Sequence, residues 1–229
     1  MATCNTQTGA GASDAKELFS AYIKEKGFPC VGAKSALATG KLNIVPARDL
    51  TSGWNDVAIH DALLKWAYAY KDDPGGMRSL AVVFEGPTDL SEEAFEKHMW
   101  DRIQSLADKD EWRGQPYDSR VSADPESPHF SLSFGGEGFF VVGMHPNASR
   151  PARRFALPTL VFNLHDQFER LREDGRYETM RETILDRDRK LAGNINPMLS
   201  RHGEDSEARQ YSGRQVGEDW EPPFKDRRS

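Results

Sequence analysis

Three apolar segments with almost no charge most constrain the fold of this 229-residue chain. They are SLAVVFEG at 79–86, FSLSFGGEGFFVVGM at 130–144 and the short run Thr159–Phe162. The first is continuous and contains β-branched residues, which is typical of a strand covered on both faces. The second predicts two strands that meet at Gly135 and Gly136. Such a sheet needs helices to cover it.

Those helices are indicated by apolar residues at helical spacing. Predicted helices begin near Ser13, near Asn55 or Asp56 and near Ser91, and two more follow the third apolar segment, the last from about Tyr177 to Leu191. Residues 1–12 offer little to bury and are predicted to form a disordered tail, and residues 225–229 are expected to fray. We predict one α+β domain over residues 13–224, in which a small mixed or antiparallel sheet packs with several helices.

Charge, hydropathy and cysteine content argue against several classes of protein. A net charge of −6 disfavours binding to nucleic acid, which needs uncompensated Lys and Arg. The absence of a long apolar run or a signal peptide predicts a cytoplasmic protein without a membrane partner. Cys4 and Cys30 form no Cys-x-x-Cys pair, which argues against a disulfide scaffold or a zinc ribbon. The usual nucleotide-binding motifs are also missing, so any oxidation would need an external electron donor or peroxide.

The histidine with the most unusual setting is His145, which ends an apolar strand and precedes a proline. Arg150, Arg153 and Arg154 follow it within nine residues. An imidazole aimed by a strand can bind iron, and nearby guanidinium groups can pair with the propionates of haem. The alternative is that His145 only bonds to a loop carbonyl while the arginines face water.

Two other residues are candidate iron ligands. His165 lies at the start of a predicted helix, where it could turn toward the strand end that carries His145. Cys30, in the string FPC, could provide a thiolate. The alternatives are a core or capping histidine at 165 and a small buried apolar residue at 30.

The segment 193–214 is too polar for a core, yet its Asn, Pro and Gly residues suit turns. Polar loops of this kind often line a site. Glu207 could hold a cationic substrate, and Arg209 could bind a carboxylate. The alternative is a solvated segment that surface ion pairs hold in place. The following WEPPF string at 220–224 is expected to dock its aromatic residues on the protein body.

FPC at 28–30, HPNASRPARRF at 145–155 and SEARQYSGR at 206–214 together resemble the YqcI/YcgG family, over essentially the whole chain after the tail. Several members of that family are haem-dependent oxygenases that hydroxylate a guanidino nitrogen of arginine or a small guanidine in natural-product biosynthesis. The resemblance therefore implies a haem b-dependent N-hydroxylase of a guanidine or amine. Pro222 stands where the family often has a cysteine, so no role can rest on that cysteine.

The resemblance strengthens the assignment of His145 as the iron ligand, with His165 next and Cys30 after it. Arg150 and Arg154 would then pair with the haem, and Glu207 would hold the substrate guanidinium bidentately. Two other functions stay open: a haem carrier or sensor without turnover, and a small-ligand-binding protein without a cofactor. A homodimer is expected only from base rates.

Overall fold

The computed structural model describes residues 10–228, with side chains from residue 14 onward. The helices are α1 (Ala10–Lys24), α2 (Val31–Ala38), α3 (Asp56–Asp72), α4 (Glu92–Trp112), α5 (Asp166–Glu173), α6 (Tyr177–Ala192) and α7 (Ala208–Tyr211). The strands are β1 (Leu42–Asp49), β2 (Ser79–Gly86), β3 (Leu132–Phe134), β4 (Glu137–Met144) and β5 (Thr159–Leu164). None of these helices is long and apolar enough to cross a membrane.

The five strands form one mixed sheet in the order β1-β2-β5-β4-β3. The β1 and β2 strands are parallel, whereas β5 is antiparallel to both β2 and β4. The β3 strand pairs antiparallel with β4 at the edge. The predicted single α+β domain with a small mixed sheet is therefore confirmed.

Alternation along β2 divides the core between the two faces of the sheet, because successive side chains of a strand point to opposite sides. Leu80 and Val82 belong to the cluster that packs against α3 and α4. We call this side of the sheet face A. Ala81 and Val83 belong to a second cluster, which includes Phe19 of α1. We call this opposite side of the sheet face B. Both faces of β2 are buried, which explains its continuous apolar run.

The predicted hairpin lies where the glycines indicated it. Gly135 and Gly136 have φ values of +60° and +76°, which residues with a side chain rarely adopt. The backbone N–H of Gly135 also donates to the carboxylate of the fully buried Asp110 in α4. The turn is therefore held against α4.

The predictions for the two ends of the chain differ from the structure wherever it describes those residues. Residues 1–9 of the predicted tail lie outside the described residues, and α1 already begins at Ala10 instead of near Ser13. We expected residues 225–229 to fray; Ser229 lies outside the described residues, but Lys225 bonds to Gln104 and Arg228 pairs with Asp110. The preceding aromatics dock as expected, with Phe224 and the ring of Trp100 6.2 Å apart.

Candidate functional site

Two adjoining cavities lie on face B beside α1, whose Phe19 and Ile23 line one of them. Their volumes are about 230 Å³ and about 210 Å³. The walls of both include Cys30, Phe140, Val142, Asn163 and Ile184, so they form one continuous hollow. Helices α2 and α6 and the segment 196–210 enclose it, and most of its lining is apolar. A largely apolar hollow with few polar groups is the usual form of a ligand site.

Strand alternation places His165 in this cavity. Val161 and Asn163 of β5 point to face B, and His165 continues the same alternation just beyond the strand. His165 is 6% exposed, and burial lowers the pKa of its imidazole. The carboxylate of Glu207 opposes that shift. His165 is therefore a buried imidazole that favours its neutral form.

His165 meets two residues of the polar C-terminal segment. The Nδ1 atom of His202 lies 2.9 Å from Oε1 of Glu207, and Nδ1 of His165 lies 3.7 Å from the same oxygen. The other oxygen of Glu207 accepts hydrogen bonds from the hydroxyls of Ser131 at 3.0 Å and Tyr211 at 3.4 Å. Glu207 is thus fixed between two hydroxyls and two imidazoles.

Cys30 lies at the N-terminus of α2 and faces both cavities. Its Sγ atom accepts a hydrogen bond from the backbone N–H of Ala33 at 3.4 Å. Burial raises the pKa of the thiol, while the N–H groups of Ala33 and Gly32 oppose that shift. A helix N-terminus stabilises negative charge, so this setting suits a thiolate once a metal replaces the proton.

The predicted arginines separate into two groups. Arg150 and Arg153 line the cavity, whereas Arg154 is exposed and bonds to the carbonyls of Ala148 and Ser149. Arg150 forms an ion pair with Asp188. Within residues 10–228, no carboxylate forms an ion pair with Arg153, whose guanidinium donates to backbone carbonyls only.

Burial lowers the pKa of Arg153 to about 10, because a buried cation without a paired anion is costly. An anionic group in the cavity would reduce that cost. The sequence-based assignment paired Arg150 and Arg154 with the haem and gave Arg153 no role. The structure makes Arg153 the arginine best placed to receive a carboxylate.

His145 lies away from this cavity. Its ring stacks on Phe95 of α4 with centroids 4.3 Å apart, on face A. Because β4 and β5 are antiparallel, Met144 pairs with Thr159, and His145 and His165 follow opposite ends of the two strands. The length of β5 therefore separates the two histidines by about 17 Å, at roughly 3.4 Å per residue. The expectation that His165 turns toward His145 is wrong, and iron ligation by His145 stays a prediction without support from this geometry.

Of the two predicted substrate-binding residues, only Glu207 lines the cavity. Arg209 bonds to the carbonyls of Trp220 and Gly217 and lies over the Trp220 ring, with 5.8 Å to the centroid. It holds the C-terminal segment in place. A substrate guanidinium at Oε1 of Glu207 would share that oxygen with His202.

Sequence reasoning did not single out His202, and it ranked Cys30 last. The available signal for Cys30 was its place between Pro29 and a helix-forming segment, where a side chain caps the helix. For His202 the signal was its closeness to Glu207 in the chain, five residues apart. Neither signal identifies a cavity, because the wall is assembled from separate parts of the sequence.

Comparison with known proteins gives a family and no individual relative. Residues 19–225 match the sequence model of the YqcI/YcgG family. Neither the curated proteins nor the solved structures contain a significant match.

Proposed function

The chain belongs to the YqcI/YcgG family, and we propose that it is a haem-dependent N-oxygenase that hydroxylates a guanidino or amino nitrogen of arginine or a related small molecule. The observation that carries the proposal is the apolar cavity whose wall presents the Cys30 thiol at a helix N-terminus. A flat, largely apolar cofactor with a ligated iron suits such a wall. The cytoplasmic location expected from the sequence is part of this proposal.

The residues of the cavity fit haem b in two respects. The Cys30 sulfur would bind the iron, because it lies in the cavity wall. The backbone N–H of Ala33 donates to this sulfur and would stabilise its thiolate form. Arg153 would pair with a propionate, because its partly buried guanidinium has no carboxylate partner in residues 10–228. Arg150 would add a second donor, since its Nε atom is buried without a hydrogen-bond partner in the described part of the chain.

Bound there, haem would supply the iron chemistry that activates oxygen or peroxide. The chain itself would bind and orient the substrate and exclude water with the apolar side chains of Phe140, Val142 and Ile184. Arg181 and Arg172 also line the hollow. Of these two, Arg172 already pairs with Glu169, which leaves Arg181 to attract a substrate carboxylate.

A turnover assay tests the proposed activity. Protein purified with haem would be incubated with arginine, or with a small guanidine, and with either peroxide or a reductase and NADPH. The proposal predicts a product heavier than the substrate by one oxygen atom, detected by mass spectrometry, and less product from Cys30→Ser. Haem-loaded protein that yields no product from any guanidine or amine would indicate a carrier or sensor instead.

A further inference from the structure

Three side chains that could donate to a cation converge at one end of the cavity. His165 follows β5, His202 lies in the loop after α6, and Glu207 immediately precedes α7. One nitrogen of each imidazole and one oxygen of the carboxylate all lie within 4.8 Å of one another. His165 and Glu207 are buried, and His202 is partly buried. The cluster is thus assembled in the protein interior and is not a chance grouping of surface charges.

The carboxylate of this cluster is held in position from behind. Ser131 and Tyr211 both donate to Oε2 of Glu207, which leaves Oε1 directed at the imidazoles. Ser131 and Tyr211 are fully buried, so these donors are fixed by packing. Hydrogen bonds to the second oxygen of a ligating carboxylate are a common feature of metal sites.

The imidazole of His165 is also oriented. The Nε2 atom of His165 lies 3.1 Å from a carboxylate oxygen of Glu169, so its Nδ1 atom is directed toward Glu207. A histidine that binds metal through one nitrogen usually donates its other N–H to a carboxylate in this way. Burial also favours the neutral form of His165, which is the form that binds a metal.

We propose that His165, His202 and Glu207 bind one divalent transition-metal ion, with the cavity leaving its remaining coordination positions open. Two imidazoles and one carboxylate are a donor set of zinc and of non-haem iron(II), whereas Mg²⁺ and Ca²⁺ prefer oxygen donors alone. The site goes beyond the proposed function and does not require haem. It gives Glu207 the role of a metal ligand instead of the predicted role of holding a guanidinium.

Metal titration of haem-free, full-length protein tests the site. After treatment with a chelator, the protein would be titrated with Co²⁺ and followed by the visible ligand-field absorption of the bound ion. Zn²⁺ would then compete, and Mg²⁺ would serve as the oxygen-preferring control. The proposal predicts one equivalent of Co²⁺, displaced by one equivalent of Zn²⁺ and unaffected by excess Mg²⁺. Protein that binds less than half an equivalent, or that binds Mg²⁺ equally well, would overturn it.

Variants locate the ion at the three residues. Glu207→Gln and His202→Gln should each weaken binding more than about 100-fold, and Ser131→Ala about 10-fold, because it removes a hydrogen bond to the ligating carboxylate. The matched control is His129→Gln, whose exposed ring lies 5.5 Å from that of His202 but outside the cluster. It should bind as the wild type does.

Equal losses in His129→Gln and His202→Gln would contradict the site, because they would indicate a surface histidine pair. If Glu207→Gln fails to fold, His202→Gln, at a partly exposed position, decides the question. Because the titration uses haem-free protein, its result is independent of the haem proposal. A missing haem absorption band would not affect the metal site, and a missing metal would not affect the haem.

Discussion

His145 occupies a setting that opposes its protonation. Its ring is buried against Phe95, and its Nδ1 atom has no hydrogen-bond partner among the described residues. Burial lowers its pKa below the ordinary value of 6.5, with a smaller contribution from Arg153, while Glu92 opposes the shift. The folded protein therefore takes up the proton at lower pH than the unfolded chain does.

This difference predicts a pH dependence of stability. Well above pH 6.5, the ordinary pKa of histidine, neither state is protonated at His145, so its contribution is constant. As the pH falls below that value, the unfolded chain binds the proton first, and the free energy of unfolding decreases by up to about 1.4 kcal/mol per pH unit. Urea denaturation at about pH 7.5 and about pH 5.5 measures the loss.

His145→Phe keeps the aromatic stack and removes the titrating group. The variant should lose less stability than the wild type over the same pH interval, although not all of the loss disappears, because burial also lowers the pKa of His165. His129→Gln, at an exposed position, should retain the wild-type loss. An identical loss in His145→Phe and the wild type would show that His145 is not responsible.

At the scale of elements, Gly143 sets how closely β4 approaches α4 and the C-terminal segment. A Cβ atom there would lie 2.8 Å from a ring carbon of Phe95 and 3.0 Å from the backbone oxygen of Tyr211. The ring could shift, but the carbonyl also accepts from Arg153 and is held in place. Gly143→Ala should therefore lower the free energy of unfolding by about 1–3 kcal/mol, measured by urea denaturation.

The matched control is Gly27→Ala, in the loop after α1. A Cβ atom at Gly27 would meet no heavy atom within 4 Å. Its free energy of unfolding should stay within about 0.5 kcal/mol of the wild type. Equal effects of the two substitutions would contradict the close approach at β4.

The sequence predicted those helices and strands whose buried faces produce a regular pattern of apolar residues. The β2 strand was predicted at its observed bounds because both its faces are buried, and α3 and α4 were predicted from their apolar stripes. The β1 strand was missed because it lies at the sheet edge with one neighbour and contains Pro46. Helix α2 was missed because eight residues are too few for a clear period.

At the scale of the whole molecule, the site depends on contacts that no local pattern contains. Cys30, His165 and Glu207 come from distant parts of the chain and meet only because α2, β5 and the segment before α7 enclose one cavity. The assignment of His145 and His165 to opposite faces likewise depends on the register of β4 and β5, in which Met144 pairs with Thr159, because a slip of one residue would reverse the face. Leu199, Ser200 and His202 of the polar segment 193–214 line the cavity, and the expectation that this segment lines a functional site stays a prediction.

The most direct test of the central claim is an absorption spectrum of protein expressed with a haem precursor, reduced with dithionite and exposed to carbon monoxide. Cys30 as the iron ligand predicts a carbonyl band near roughly 450 nm in the wild type and in His145→Ala, and a shift toward roughly 420 nm in Cys30→Ser. A wild-type band near roughly 420 nm that only His145→Ala abolishes would assign the iron to His145 instead. Colourless protein would contradict haem in this cavity altogether.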